Sequence, residues 1–66
     1  MSFADNVYKI MRDKKMNQSA VARAAGMNPK EFNALLRGRK LLREEFINPI
    51  CRALEVTPNE LFGYKA

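Results

Sequence analysis

The chain has 66 residues, of which 12 are Lys or Arg, 7 are Asp or Glu and none is His, so its net charge at pH 7 is +5. A chain this short has a core too small to enclose a deep substrate pocket, and one cysteine without histidine supplies neither a zinc site nor a Ser/His/Asp or Cys/His catalytic set. We therefore expect a single domain over residues 1–66 that is not an enzyme, has no cofactor and binds an anionic partner.

The sequence also indicates a compartment. No apolar run approaches the roughly 20 residues that span a bilayer, and the start, MSFADN, lacks a charged region followed by a hydrophobic one. The single cysteine, Cys51, excludes an internal disulfide and is compatible with a reducing environment. Beside Ile50 and Leu54, it is expected to be a small buried hydrophobe rather than a reactive thiol. We expect a cytoplasmic protein with no membrane contact and no small-molecule ligand.

The first predicted helix runs from about Phe3 to Lys14. Ser2 is placed to cap it, and cations near its end face the negative pole of the helix dipole. Its inner face is predicted from apolar side chains at helical spacing, namely Phe3, Val7, Ile10 and Met11.

Residues 17–37 predict two short helices that pack on each other. Asn17 is placed to cap the second helix, from about Gln18 to Ala25, and the third runs from Pro29 to Arg37 and stops at Gly38. Two apolar faces support this pairing, Val21, Ala22 and Ala25 on one helix and Phe32, Leu35 and Leu36 on the next.

The predicted turn between these helices is only Gly26, Met27 and Asn28. Gly26 suits a left-handed conformation that ends a helix, and Asn28 with Pro29 supplies a cap and a first helical position. A connection this short forces a steep crossing, with the small Ala22 where the backbones approach most closely. This is helix-turn-helix geometry, whose second helix lies in the major groove of DNA.

The last two helices are predicted with less uniform signals. Pro49 would cost about 3 kcal/mol inside a helix interior but little near its start. Two interpretations stay open: a fourth helix that begins by Glu45 or Phe46, which we favour, or one from Pro49 to Leu54 capped by Asn48. The fifth helix is predicted from Pro58 to Phe62, ending at Gly63. Both Asn28-Pro29-Lys30-Glu31 and Thr57-Pro58-Asn59-Glu60 resemble a capping box.

Charge and helix phase together predict a DNA-contacting surface. Residues 1–43 carry ten Lys or Arg and three acidic residues, hence +7, and residues 44–66 carry two and four, hence −2. If the apolar side of the third helix faces inward, its outward side carries the predicted base-reading residues, which are Lys30, Asn33, Ala34 and Arg37. Lys suits guanine, Asn suits adenine, and Ala34 can meet a thymine methyl group.

The predicted phosphate-binding residues flank this helix. Arg37, Arg39, Lys40 and Arg43 place four cations within seven positions, which suits the neutralisation of phosphates. At the start of the second helix, the predicted contacts are Gln18 and Asn17, although Asn17 is also expected to act as the cap. For each of these residues taken singly, a solvated surface position is the alternative.

The sequence MNQSAVARAAGMNPKEFNALLRGRK, followed by ICRALEVTPNELFG, resembles the Cro/repressor-type (XRE) helix-turn-helix family. The match runs from about Met16 to Phe62, with Gln18, Val21, Ala22, Gly26, Gly38 and the segment Ala53 to Val56 at family positions. The resemblance implies an all-α, compact five-helix bundle with a central helix-turn-helix, a lambda-repressor-like fold. It also implies a two-fold dimer that binds duplex operator DNA and regulates transcription, and a base contact by Lys40.

The chain departs from that family pattern in three respects. Pro29 stands where members often have Gln, Ser or Thr, so a base contact there is not expected. The chain begins almost directly with the first helix, so arm contacts are not expected either, and it ends just after the fifth. A short Cro-like regulator or a small controller protein is therefore the expected type.

Three functions remain as hypotheses. Sequence-specific DNA binding in transcriptional control is favoured by the basic, polar face of the third helix. An acidic or apolar face would instead favour a protein-interaction module, such as an anti-repressor or antitoxin component. A nonspecific nucleic-acid binder is favoured by the charge alone but less by the ordered turn. We expect a weak homodimer that assembles on DNA, with Phe46, Phe62 and Tyr64 as candidate contacts.

Overall fold

The computed structural model describes residues 2–63, so the predicted dimer contact Tyr64 lies outside the described residues. Within them the fold is all-α, and its five helices are Phe3–Asp13 (α1), Gln18–Ala24 (α2), Pro29–Leu36 (α3), Glu44–Leu54 (α4) and Pro58–Leu61 (α5). The predicted five-helix fold is confirmed. Four of the helices end one residue earlier than predicted, since the predicted last residue is the cap.

The helix starts follow the capping residues that the sequence offers. The Asn17 side-chain oxygen accepts hydrogen bonds from the N–H groups of Ser19 and Ala20, at 2.8 and 3.2 Å. Thr57 and Glu60 form both hydrogen bonds of a capping box. The same box is absent at α3, because Glu31 pairs with Lys40 instead of turning back towards Asn28. Asn28 still caps α3 through the N–H of Lys30, at 2.8 Å.

Helix α4 begins at Glu44, so the alternative of a helix starting at Pro49 is wrong. Arg43 occupies the cap position without a side-chain hydrogen bond, which explains why the sequence gives no clear start signal there. Pro49 is the sixth residue of α4 and cannot donate to the carbonyl of Glu45. The helix continues past it to Leu54 and ends at Glu55, whose φ of 59° is left-handed.

The end of α4 is bonded by Lys14, the residue that caps the end of α1. The Lys14 ammonium donates to the backbone carbonyls of Leu54 and Glu55, at 2.8 and 2.9 Å. These carbonyls have no partner within their own helix, and a cation at this end also favours the helix dipole. A contact that joins residues 40 and 41 positions apart in sequence therefore links the end of α1 to the end of α4.

The turn between α2 and α3 is built as predicted. Gly26 has a φ of 73°, and its N–H donates to the carbonyl of Arg23 at 3.0 Å. The next N–H, of Met27, donates to the carbonyl of Ala22 at 2.8 Å and so closes α2. Met27 is also buried, with 6% of its surface exposed. From the sequence Met27 was predicted only as a turn residue, so its place in the core was missed.

The core lies between the helices and contains side chains from all five. Predicted inner residues Val7 and Met11 are buried, while Phe3 and Ile10 pack half-buried at its edge. Cys51 is buried as predicted; its burial, and secondarily Glu60, raise the pKa of its thiol. The remaining buried apolar residues are Val21, Ala22, Ala25, Met27, Phe32, Leu35, Leu36, Ile50, Leu54 and Leu61. No helix within residues 2–63 is long and apolar enough to cross a bilayer.

Candidate nucleic-acid interface

The predicted base-reading residues lie on the side of α3 that faces away from the core. Phe32, Leu35 and Leu36 are buried, so helical geometry directs the intervening positions outward. Lys30 is exposed near the start of the helix, and Arg37 is exposed at its cap position. Asn33 and Ala34, at the centre of this stripe, are half-buried rather than fully exposed.

Asn33 accepts a hydrogen bond from a side chain of α2. The Gln18 side-chain amide donates from Nε2 to Oδ1 of Asn33, at 3.2 Å. An amide nitrogen has two N–H groups and an amide oxygen has two lone pairs, so Gln18 keeps one donor and Asn33 keeps the donor and acceptor that adenine requires. Two residues predicted for different roles, backbone and base, are therefore joined by one hydrogen bond.

The segment after α3 is rich in cations, and its members differ in what they already contact. Arg39 forms no ion pair among the described residues. Arg43 lies 4.0 Å from the carboxylate of Glu45, but both side chains are about two-thirds exposed, at 70% and 67%, so this pair contributes little. Lys40 differs from both arginines, because its ammonium donates a hydrogen bond to the carboxylate of Glu31 and forms an ion pair with it. The segment that follows α3 thus carries two exposed arginines available for an anion.

Residues 6–66 match the family model of the Cro/C1-type HTH DNA-binding domain. The chain belongs to this family. Two solved structures share the fold of this Cro/C1-type domain. The restriction-modification controller protein C.AhdI from Aeromonas hydrophila has a TM-score of 0.83 and 23% sequence identity, with 91% of each chain covered. The clp gene regulator ClgR from C. glutamicum has a TM-score of 0.81 and 24% identity, over 89% of this chain and 77% of that one. No curated protein is similar enough in sequence to be counted as a relative.

The family gives the function of the domain. The chain is a DNA-binding protein of the class that regulates transcription, as the sequence predicted. In a helix-turn-helix, the second helix of the pair is the one that enters the major groove, and here that helix is α3. No group of three or more His, Cys, Asp or Glu side chains that could hold a metal occurs among residues 2–63.

Two contacts at this surface were missed by the sequence analysis. The first is the hydrogen bond between Gln18 and Asn33, and the second is the ion pair between Glu31 and Lys40. Both join residues nine or more positions apart in sequence, so neither has the i, i+3 or i, i+4 spacing that marks a helix pair. Only the hydrophobic phase of α2 and α3, which fixes how the two helices pack, carried indirect information about the first.

Proposed function

We propose that α3 lies in the major groove of duplex DNA, where its outward stripe reads base edges, while residues around it hold the phosphate backbone. The observation that carries this proposal is the polar stripe on the outward side of α3, which is followed directly in the chain by exposed arginines, within a domain of the Cro/C1-type family. The base-reading set is Lys30, Asn33, Ala34 and Arg37. The backbone set is Gln18, Asn17, Arg39 and Arg43. Lys40 is left out because its ammonium is engaged by Glu31.

Chemistry assigns different tasks to the members of the stripe. The exposed Lys30 ammonium suits guanine O6 or N7, and the Asn33 amide suits adenine. Ala34 offers a methyl group to thymine, and its small size lets the helix approach the groove floor. Gln18 has a dual task, since its second N–H is free for a phosphate oxygen while the first holds Asn33. We therefore expect the loss of Gln18 to weaken binding and also to disturb the base preference set by Asn33.

We further propose that two copies bind a two-fold operator with their α3 helices about 34 Å apart, in successive major grooves. The dimer contact is proposed for half-buried aromatic side chains such as Phe46 and Phe62. Most of this apolar area also packs against the core, so the dimer is weak in solution and assembles on DNA. Such a regulator works beside the DNA, and we place it in the cytoplasm.

Selection of bound duplexes from a random pool tests the function directly. An enriched palindrome with half-sites one helical turn apart is the expected result. Uniform recovery of all sequences would indicate a nonspecific binder, and no recovery would favour a protein-interaction module. A single unpaired half-site as the best ligand would contradict the two-fold assembly.

Point variants on the selected operator test the assignment of residues. Lys30→Ala and Asn33→Ala should each relax the preference at one or two base positions, by about 1 to 3 kcal/mol. Arg39→Ala should weaken all operator variants alike and flatten the dependence of log affinity on log salt. Lys9→Ala is the matched control, because it removes an exposed lysine of α1 outside both sets. If Arg39→Ala changes the preferred base while Lys30→Ala does not, the assignment is wrong.

The salt dependence of the DNA affinity measures how many phosphates the cations of the chain neutralise. The two exposed cations of the backbone set, Arg39 and Arg43, would neutralise two phosphates per subunit, which corresponds to a slope of roughly −4 for a dimer, from about −0.9 per neutralised phosphate. A slope near zero would show that the positive charge of the chain does not act on a DNA backbone.

A further inference from the structure

Three side chains hold the segment between α3 and α4, residues 37–43, against the ends of both helices. The Lys40 ammonium donates to Oε2 of Glu31, which is the third residue of α3. It also lies 5.5 Å from the ring centroid of Phe46, in the first turn of α4. The Lys40 and Glu31 side chains are only 36% and 33% exposed. We refer to Glu31, Lys40 and Phe46 as the clamp.

The backbone of the same segment has little support of its own. The N–H groups of Arg37, Gly38 and Arg39 bond back to α3, but those of residues 40–42 donate to no other backbone group among the described residues. Helix α4 then starts without a side-chain cap. Besides the clamp, the half-buried side chain of Leu42 packs against the core. The clamp is therefore the polar contact that fixes this segment, which carries Arg39 and Arg43.

We propose that Glu31 and Lys40 are positioning residues for DNA binding, which is an inference that rests on the proposed function. Through the clamp they set the position from which Arg39 and Arg43 reach phosphates, and Lys40 stays with Glu31 when DNA is bound. If the ammonium left for a phosphate, a half-buried carboxylate would remain unpaired beside a polyanion. The ammonium would also leave the Phe46 ring, although a cation above an aromatic face is favourable.

Whether Glu31→Gln raises or lowers the affinity for DNA distinguishes this proposal from a purely electrostatic effect. Glu31→Gln removes a negative charge near DNA, so long-range attraction alone predicts tighter binding. Disruption of the clamp predicts the opposite, since Arg39 and Arg43 are no longer held in place. We expect Glu31→Gln to bind the selected operator about two- to fivefold more weakly, the range that a partly exposed ion pair supplies. We also expect the salt slope to be less steep by up to about 0.9 for each phosphate that is no longer neutralised.

Glu44→Gln is the matched control. It makes the same change of charge at an exposed carboxylate next to Arg43, without touching the clamp. Its binding is expected to be equal to that of the parent or tighter. Lys40→Met, which keeps the aliphatic stem over Phe46, should weaken binding as Glu31→Gln does, and the double variant should be no weaker than Lys40→Met alone. Lys40→Arg can keep both contacts and should stay within about twofold of the parent.

All variants are compared with the parent chain in one titration, after circular dichroism has shown equal helical content. Tighter binding by Glu31→Gln with a steeper slope would show that the freed Lys40 contacts a phosphate, and would overturn the positioning role. Tighter binding with an unchanged slope would show that Glu31 is only a repulsive charge, and would overturn it too. If the parent chain itself binds no duplex, the proposed function is wrong. If the parent binds but Glu31→Gln binds more tightly, only the positioning role of Glu31 and Lys40 is wrong.

Discussion

Substitutions at Gly26 measure the free-energy cost of the left-handed backbone conformation in the turn, separately from any change in side-chain packing. Its φ is +73°, and a Cβ built there would meet nothing within 4 Å, so a substitution is penalised only through the backbone. For an L-residue in this conformation the penalty is about 1 to 2 kcal/mol. In a domain of this size, each kcal/mol lowers the melting temperature by about 4 to 8 °C. Gly26→Ala should therefore melt about 4 to 16 °C below the parent.

The order within a series of substitutions is the sharper test. Asn tolerates the left-handed region and should cost less than Ala, whereas the β-branched Val should cost more. Gly38 has a φ of +75° and also has no neighbour within 4 Å, so Gly38→Ala should lose as much stability as Gly26→Ala. Melting followed by circular dichroism gives the order directly. If Gly26→Val melted within a degree or two of the parent, the turn would not have the left-handed conformation on which the crossing of α2 and α3 depends.

Three further predictions concern the buried core and the contact of Lys14 with the end of α4. Ala22 is fully buried, and the sequence places it at the crossing of α2 and α3. Ala22→Leu should therefore overpack this crossing and cost about 1 to 3 kcal/mol, whereas an unchanged melting temperature would show that the helices do not meet there. Lys14→Met should lower stability by about 1 kcal/mol because α4 loses its C-terminal cation, while Lys9→Met, at an exposed lysine of the same helix, should have no comparable effect. Because Cys51 is buried and the pKa of its thiol is raised, the thiol should react slowly with an aromatic disulfide at neutral pH in the folded chain and fast in denaturant. Equal reaction rates in the folded and the denatured chain would contradict the burial of Cys51.

The helix starts were predictable from sequence where the signal is local. Asn17, Asn28 and Thr57 cap helices through N–H groups two or three positions away, so the residue and its task lie in the same short stretch. At α4 the cap position holds Arg43, which makes no side-chain bond, and the start of that helix is set by packing of its apolar face instead. For this reason Pro49 left two alternatives open in the sequence, and only the structure decided between them.

The candidate site likewise has features that the sequence predicts and features that it does not predict. The outward stripe of α3 follows from the phase of Phe32, Leu35 and Leu36, because burial of one helix side determines the other. Which polar groups are already engaged does not follow from phase. In the sequence Lys40 is one more cation in a basic run, and its pairing with Glu31 depends on where the chain returns after α3. Burial of Met27 was likewise hidden, since a residue in a tight turn is ordinarily at the surface.

The bond from Lys14 to the end of α4 has a consequence for the order of folding. The two carbonyls that it satisfies belong to the acidic part of the sequence, whereas the ammonium belongs to the basic part that carries the DNA-contacting helix pair. The carbonyls of Leu54 and Glu55 therefore gain this partner only after the end of α1 has reached the end of α4. Amide protons of α1 and of the end of α4 should then exchange with solvent in a single opening event, which would couple the stability of the basic part of the chain to that of the acidic part.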